Sequence, residues 1–65
     1  MSTRLDELLE KYDENPLDSD IIYGIVKEYL KSNMDDEAEE FLKDLLKKDP
    51  KYVQAYITYG NLKEN

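Results

Sequence analysis

The residues with the most evident capacity for chemistry are carboxylates. Asp35, Asp36, Glu39 and Glu40 fall within one and a half helical turns, and Asp13, Glu14, Asp18 and Asp20 crowd a single connection. Paired carboxylates can trade protons or hold a hard cation through oxygen. Neither group has the remaining parts of such a site. The first sits where acids favour the start of a helix. The second lacks the mid-loop glycine and the terminal bidentate glutamate of a calcium loop, and Pro16 interrupts it. Helix capping and turn formation account for Asp18, Ser19 and Asp20. The 65 residues contain neither Cys nor His, which removes thiol chemistry, disulfides, the usual zinc ligands and imidazole acid–base work. With glycine only at positions 24 and 60, no phosphate-cradling loop forms, and no serine or threonine has a base beside it. The expectation is a protein that is not an enzyme and has no catalytic residues, no metal and no cofactor.

Charge narrows the partners. The formal net charge is −7 and the pI near 4.4. Residues 1–32 contribute 8 acids and 4 bases, and residues 33–65 contribute 8 and 5, so the acidity is spread evenly. A chain of this balance is expected to bind no nucleic acid and no anionic membrane surface. The apolar run opening at Ile21 is broken by Gly24 and ends at Lys27, too short to span a bilayer. Met1 is followed by Ser2, Thr3 and Arg4 and then acids rather than a leader-like apolar run, which points to an intracellular, soluble, cytoplasmic protein.

The elements that position these groups are helices. Leu5, Leu8, Leu9 and Tyr12 repeat at helical spacing, after a cap at Ser2 or Thr3. Ile21, Ile22, Ile25, Val26, Tyr29 and Leu30 make a broad second stripe, capped by Asp18 or Ser19 and ended near Asn33. Ala38, Phe41, Leu42, Leu45 and Leu46 make the third, with acids early and Lys43, Lys47 and Lys48 late. Val53, Tyr56, Ile57, Tyr59 and Leu62 make the fourth. Pro16 and Pro50 close the first and third. The predicted fold is all-α: four antiparallel helices at about 3–14, 19–32, 35–48 and 52–63, turned back on one another by short connections.

The pattern also repeats. Pro16 and Pro50 lie 34 positions apart, and the same offset places Ile22, Tyr23 and Ile25 on Tyr56, Ile57 and Tyr59. Leu5, Leu8, Leu9 and Tyr12 align with Ala38, Phe41, Leu42 and Leu45 at an offset of 33. The 65-residue chain then reads as one domain: a half repeat at 1–16, a full repeat at 19–52 and a half repeat at 53–65.

A 34-residue helix–turn–helix unit closed by Asp49-Pro50-Lys51-Tyr52 resembles the tetratricopeptide repeat (TPR). Asp36-Glu37-Ala38 and Leu42 match its second helix, and Tyr56, Tyr59 and Gly60 its first. Val26 stands where the family has glycine, Leu45 where it has alanine, and Asn33 where it has the turn glycine. The resemblance implies a TPR-like superhelix that binds a peptide or helix of a partner protein on the concave face of its first helices. On that face it places Tyr23, Lys27, Leu30 and Lys31, extended by Gln54, Ile57 and Asn61. The family's clamp for acidic peptide tails is not expected, because Tyr23, Gly24, Ile57 and Thr58 stand where Lys, Arg and Asn are needed. Tyr12, Tyr29, Tyr52, Tyr56 and Tyr59 fall at packing positions. The last helix has no successor, so Tyr56, Tyr59 and Leu62 are expected to be partly exposed. This supports an alternative reading, an architectural segment that forms a homodimer by stacking or helix swapping, with no outside ligand.

Overall fold

The computed structural model describes residues 3–64, which form α1 (Arg4–Glu14), α2 (Ser19–Lys31), α3 (Asp35–Lys48) and α4 (Val53–Glu64). Each begins and ends where side-chain chemistry dictates. Thr3 opens α1 with a capping box: its Oγ1 accepts from the Asp6 amide at 3.1 Å, and Asp6 Oδ2 accepts from the Thr3 amide at 3.2 Å. Ser2, the other expected cap, lies outside the described residues. Asp18 rather than Ser19 caps α2, accepting from the amides of Asp20 and Ile21 at 3.0 and 3.4 Å. The end of α2 is a Schellman turn. Asn33 takes φ 60°, its amide reaches the Leu30 carbonyl at 3.1 Å, and the Met34 amide reaches the Tyr29 carbonyl at 2.9 Å. Asparagine tolerates this left-handed conformation, so the missing turn glycine does not prevent the turn. No side chain caps α3, whose first turn is instead acidic at Asp35, Asp36 and Glu37.

Helices of 11 to 14 residues are marginal alone and hold only by burying their stripes. Here α1 packs on α2, α2 on α3, and α3 on α4. Ile22, Val26, Ala38, Leu42, Leu45 and Ala55 form the buried cluster at 0% exposure, and Leu8 and Ile25 are buried as well. Ala38 has the small side chain that a close approach of two helices favours. Val26, standing at the family's glycine position, is accommodated without exposure.

The turns are tied together across the repeat. Ser19 donates to Asp49 Oδ2 at 2.8 Å, and Lys48 Nζ donates to the Pro16 carbonyl at 2.9 Å. Lys48 also meets Asp44 at 3.0 Å and lies 5.1 Å from the Tyr12 ring centre, and Asp44 beside it holds its ammonium above the usual lysine range. Glu39 joins α3 to α4 through Lys63 at 2.7 Å; that contact, with Lys43 nearby at 3.6 Å, lowers its carboxyl below the usual range.

In α4 the burial differs from the expected stripe. Ala55 is the buried residue, with Tyr59 and Leu62 packed half-buried beside it. Val53, Tyr56 and Ile57 point outward at 66%, 51% and 50% exposure, so Tyr56 is not a packing residue here. Gly60 faces open space. The burial follows the contacts: Ile22 and Val26 of α2 are buried in one cluster with Ala38, Leu42 and Leu45 of α3, whereas among the described residues nothing covers α4 at Val53, Tyr56 and Ile57.

Candidate partner-binding groove

Tyr23 is the pivot between α2 and α4. Its hydroxyl shares a hydrogen bond with Thr58 Oγ1 at 2.9 Å, and its ring lies 5.4 Å from the Tyr52 ring, tilted by 49°. Lys27, one turn on, places its Nζ 5.8 Å from the centre of the same ring. Helical periodicity puts Tyr23, Lys27, Leu30 and Lys31 along one side of α2. Thr58, Asn61 and Leu62 supply the facing side.

Two open cavities flank Leu30. One of about 380 Å³ is lined by Leu30, Asn33, Asp35, Thr58, Asn61 and Leu62. The other, of about 560 Å³, is lined by Arg4, Gly24, Lys27, Glu28, Leu30 and Lys31. Of the expected groove residues, Lys27, Leu30 and Lys31 line the larger cavity, and Leu30 and Asn61 the smaller. Tyr23 forms the bridge to Thr58. Gln54 and Ile57 line neither cavity and are exposed. Ile57 and Thr58 are consecutive, and the roughly 100° of helical rotation between them turns the lining from the first to the second. Thr58 was legible only as a poor substitute at a clamp position of the family, and Arg4, on a different helix, carries no signal in the sequence that joins it to this cavity.

Tyr52 supports the pivot from below. It donates from its hydroxyl to Asp20 Oδ1 at 3.0 Å. Burial, and then the hydrogen bond to Asp20, push its phenol up to about 12. A phenol that ionises near 10 in the unfolded chain and near 12 in the fold stabilises the fold fully below pH 10 and loses that contribution as pH rises to 12. Tyr52→Phe should be less stable than the parent by about 1 kcal/mol at pH 8. The two thermal-unfolding curves should converge between pH 10 and 12. A constant gap across that range would remove the assignment.

Four helices packed in successive hairpins define a helical-repeat protein. A tetratricopeptide-repeat family model matches residues 6–58, and the chain belongs to that family, whose repeats typically mediate protein interactions. No curated protein and no solved structure matches the chain. No helix among the described residues is long and apolar enough to cross a membrane.

Proposed function

We propose that this chain is a non-catalytic interaction module that binds a peptide or helix of a partner protein along the groove between α2 and α4. The observation that carries this reading is the Tyr23 pivot, whose ring lies 5.8 Å from Lys27 Nζ and whose hydroxyl meets Thr58, with Lys27 lining one open cavity and Thr58 the other. Tyrosine offers large contact area with few rotatable bonds, which suits it to recognition. Lys27, Leu30 and Lys31 on one side and Asn61 on the other add polar and apolar contacts within a short distance of that platform. Gln54 and Ile57 belong to the outer rim. One whole repeat at 19–52, flanked by half repeats, supplies this groove from its own first helix and the first helix of the next unit.

The test is capture from a peptide library. Tyr23→Ala and Lys27→Glu should each weaken selected peptides by tenfold or more. Unchanged binding by both variants would remove the groove.

A second reading rests on the outward face of α4. Residues 52–62 carry no charge in a chain of net −7, so two copies can meet there without like-charge repulsion at the contact. Val53, Tyr56 and Ile57 would form that contact, with Tyr59 and Leu62 at its edge. A light-scattering mass that stays monomeric across concentration would dismiss it.

A further inference from the structure

The smaller cavity beside Leu30 differs in chemistry from its neighbour. It is lined by Leu30, Asn33, Asp35, Thr58, Asn61 and Leu62, whereas the cations Arg4, Lys27 and Lys31 line the other. Asp35 is the single charged residue of this lining. It lies in the first turn of α3, and among the described residues no cation pairs with it. Lys31 makes its ion pair with Glu28 instead, at 3.6 Å. Three elements assemble the cavity: the end of α2 with its turn, the start of α3, and the second half of α4. The partial negative charge at the end of α2 is offset by the partial positive charge at the start of α3, so the Asp35 carboxylate remains as the local charge. Leu30, Leu62 and Thr58 are half-buried, and Asn33, Asp35 and Asn61 are exposed. Thr58 is already engaged with the Tyr23 hydroxyl at 2.9 Å.

We propose that this cavity takes a lysine side chain of the partner peptide, with the hydrocarbon stem against Leu30 and Leu62 and the ammonium among Asp35, Asn33 and Asn61. The inference rests on the groove reading and names the residue type that the partner brings to it. Lysine is an apolar stem ending in a compact charge with three donors and no acceptor. The lining matches both parts. Two leucines face the stem, and one carboxylate and two carboxamide oxygens answer the three donors. Arginine fits less well, because its rigid fork gains most from two coplanar oxygens, whereas the acceptors here are spread over three elements. The volume of about 380 Å³ lies at the low end of ligand sites, roughly 300–1,000 Å³, which suits one side chain rather than a folded segment. Charge favours the same ligand at two ranges. The net −7 draws a cationic segment towards the molecule. At physiological salt the screening length is about 8 Å, so the bound ammonium responds mainly to Asp35. A carboxylate in this cavity would meet Asp35 with no cation in the lining to offset it.

The probe is the tripeptide leucyl-lysyl-leucine, acetylated and amidated so that the ammonium is its only charge. The same peptide with Nε-acetyllysine is the neutral control, and the version with arginine is the cationic one. Amide shifts of the ¹⁵N-labelled chain should place the lysine peptide at Asn33, Asp35 and Asn61. Its affinity should exceed that of the acetyllysine peptide by about five- to tenfold. Asp35→Asn should abolish this preference. Asp36→Asn makes the same change of charge in the same turn of α3 but outside the lining, and should keep it. Circular dichroism should be unchanged in both variants. Equal binding of the lysine and acetyllysine peptides overturns the proposal. So does an equal loss of preference in the two variants, which would mean only general attraction to an acidic chain. Arginine binding as tightly as lysine would make the cavity a general cation site and also overturn it. If the lysine preference is absent while Tyr23→Ala still weakens the library peptides, the lysine pocket falls and the groove stands. A lysine preference beside library peptides indifferent to Tyr23→Ala and Lys27→Glu upholds the pocket and removes the wider groove.

Discussion

Leu42→Ala is expected to take away most of the stability of this domain. Leu42 lies at 0% exposure in the cluster that joins α2 and α3. Truncating a buried leucine costs about 2–5 kcal/mol, the lost transfer energy plus the cavity left behind. A 65-residue chain has only about 3–10 kcal/mol to lose. No second layer compensates, because the molecule measures 34 × 24 × 14 Å and each helix packs mainly on its chain neighbours, with side-chain contacts such as Tyr12–Phe41 and Tyr23–Thr58 reaching one helix further. The helices are too short to persist alone, so ellipticity at 222 nm should fall in one cooperative step at a much lower urea concentration. Leu17→Ala is the control. Leu17 is 74% exposed, and its loss should move stability by no more than about 0.5 kcal/mol. Similar midpoints for the two variants would mean that the α2–α3 cluster is not the core.

The second large effect is expected at Tyr23, where stability and the proposed recognition share one side chain. Tyr23→Phe removes the hydroxyl contact with Thr58 at 2.9 Å and should cost about 1 kcal/mol. Tyr23→Ala also removes the ring packed 5.4 Å from Tyr52, for a total of about 2–4 kcal/mol. The loss should be local. Hydrogen exchange of α4 amides should accelerate well beyond that of α2 and α3, because α4 also depends on the exposed Lys63–Glu39 pair and the Tyr52–Asp20 bond. A double-mutant cycle of Tyr23→Phe with Thr58→Val should return a coupling near 1 kcal/mol, and additivity of the two changes would show that the hydroxyls do not support each other. The peptide-binding loss of Tyr23→Ala should therefore be read beside Tyr23→Phe, which keeps the ring and most of the α4 contact.

The alkaline behaviour of Tyr52 and the position of Lys27 belong to the same support. Tyr52 and Lys27 both contact the Tyr23 ring, whose hydroxyl meets Thr58.

Much of the fold was legible from residue spacing. The helices end within one residue of the expected bounds because the punctuation is local: Thr3 and Asp18 as caps, Asn15-Pro16 and Asp49-Pro50 as stops, and Asn33 as the left-handed turn. The 34-residue offset and the family resemblance follow from the same local pattern, since a solenoid repeats its interfaces along the chain. The absence of Cys and His likewise limited the available chemistry before any packing was known.

Two matters were decided only in three dimensions. In α4 the apolar residues surround the helix, so their spacing names no single face; contact with α3 selected Ala55, Tyr59 and Leu62 for the inside and left Val53, Tyr56 and Ile57 outside. In the cavities beside Leu30, the lining from α4 includes Thr58 rather than Ile57, and Arg4 joins Lys27 and Lys31 from a different helix. Periodicity states which residues of one helix share a side. It carries no information on how far a neighbouring helix is rotated, or on which distant charges are brought to one cavity. Those depend on side-chain volumes at the interface, which is why an acidic chain could be read from its residues and a basic pocket on it could not.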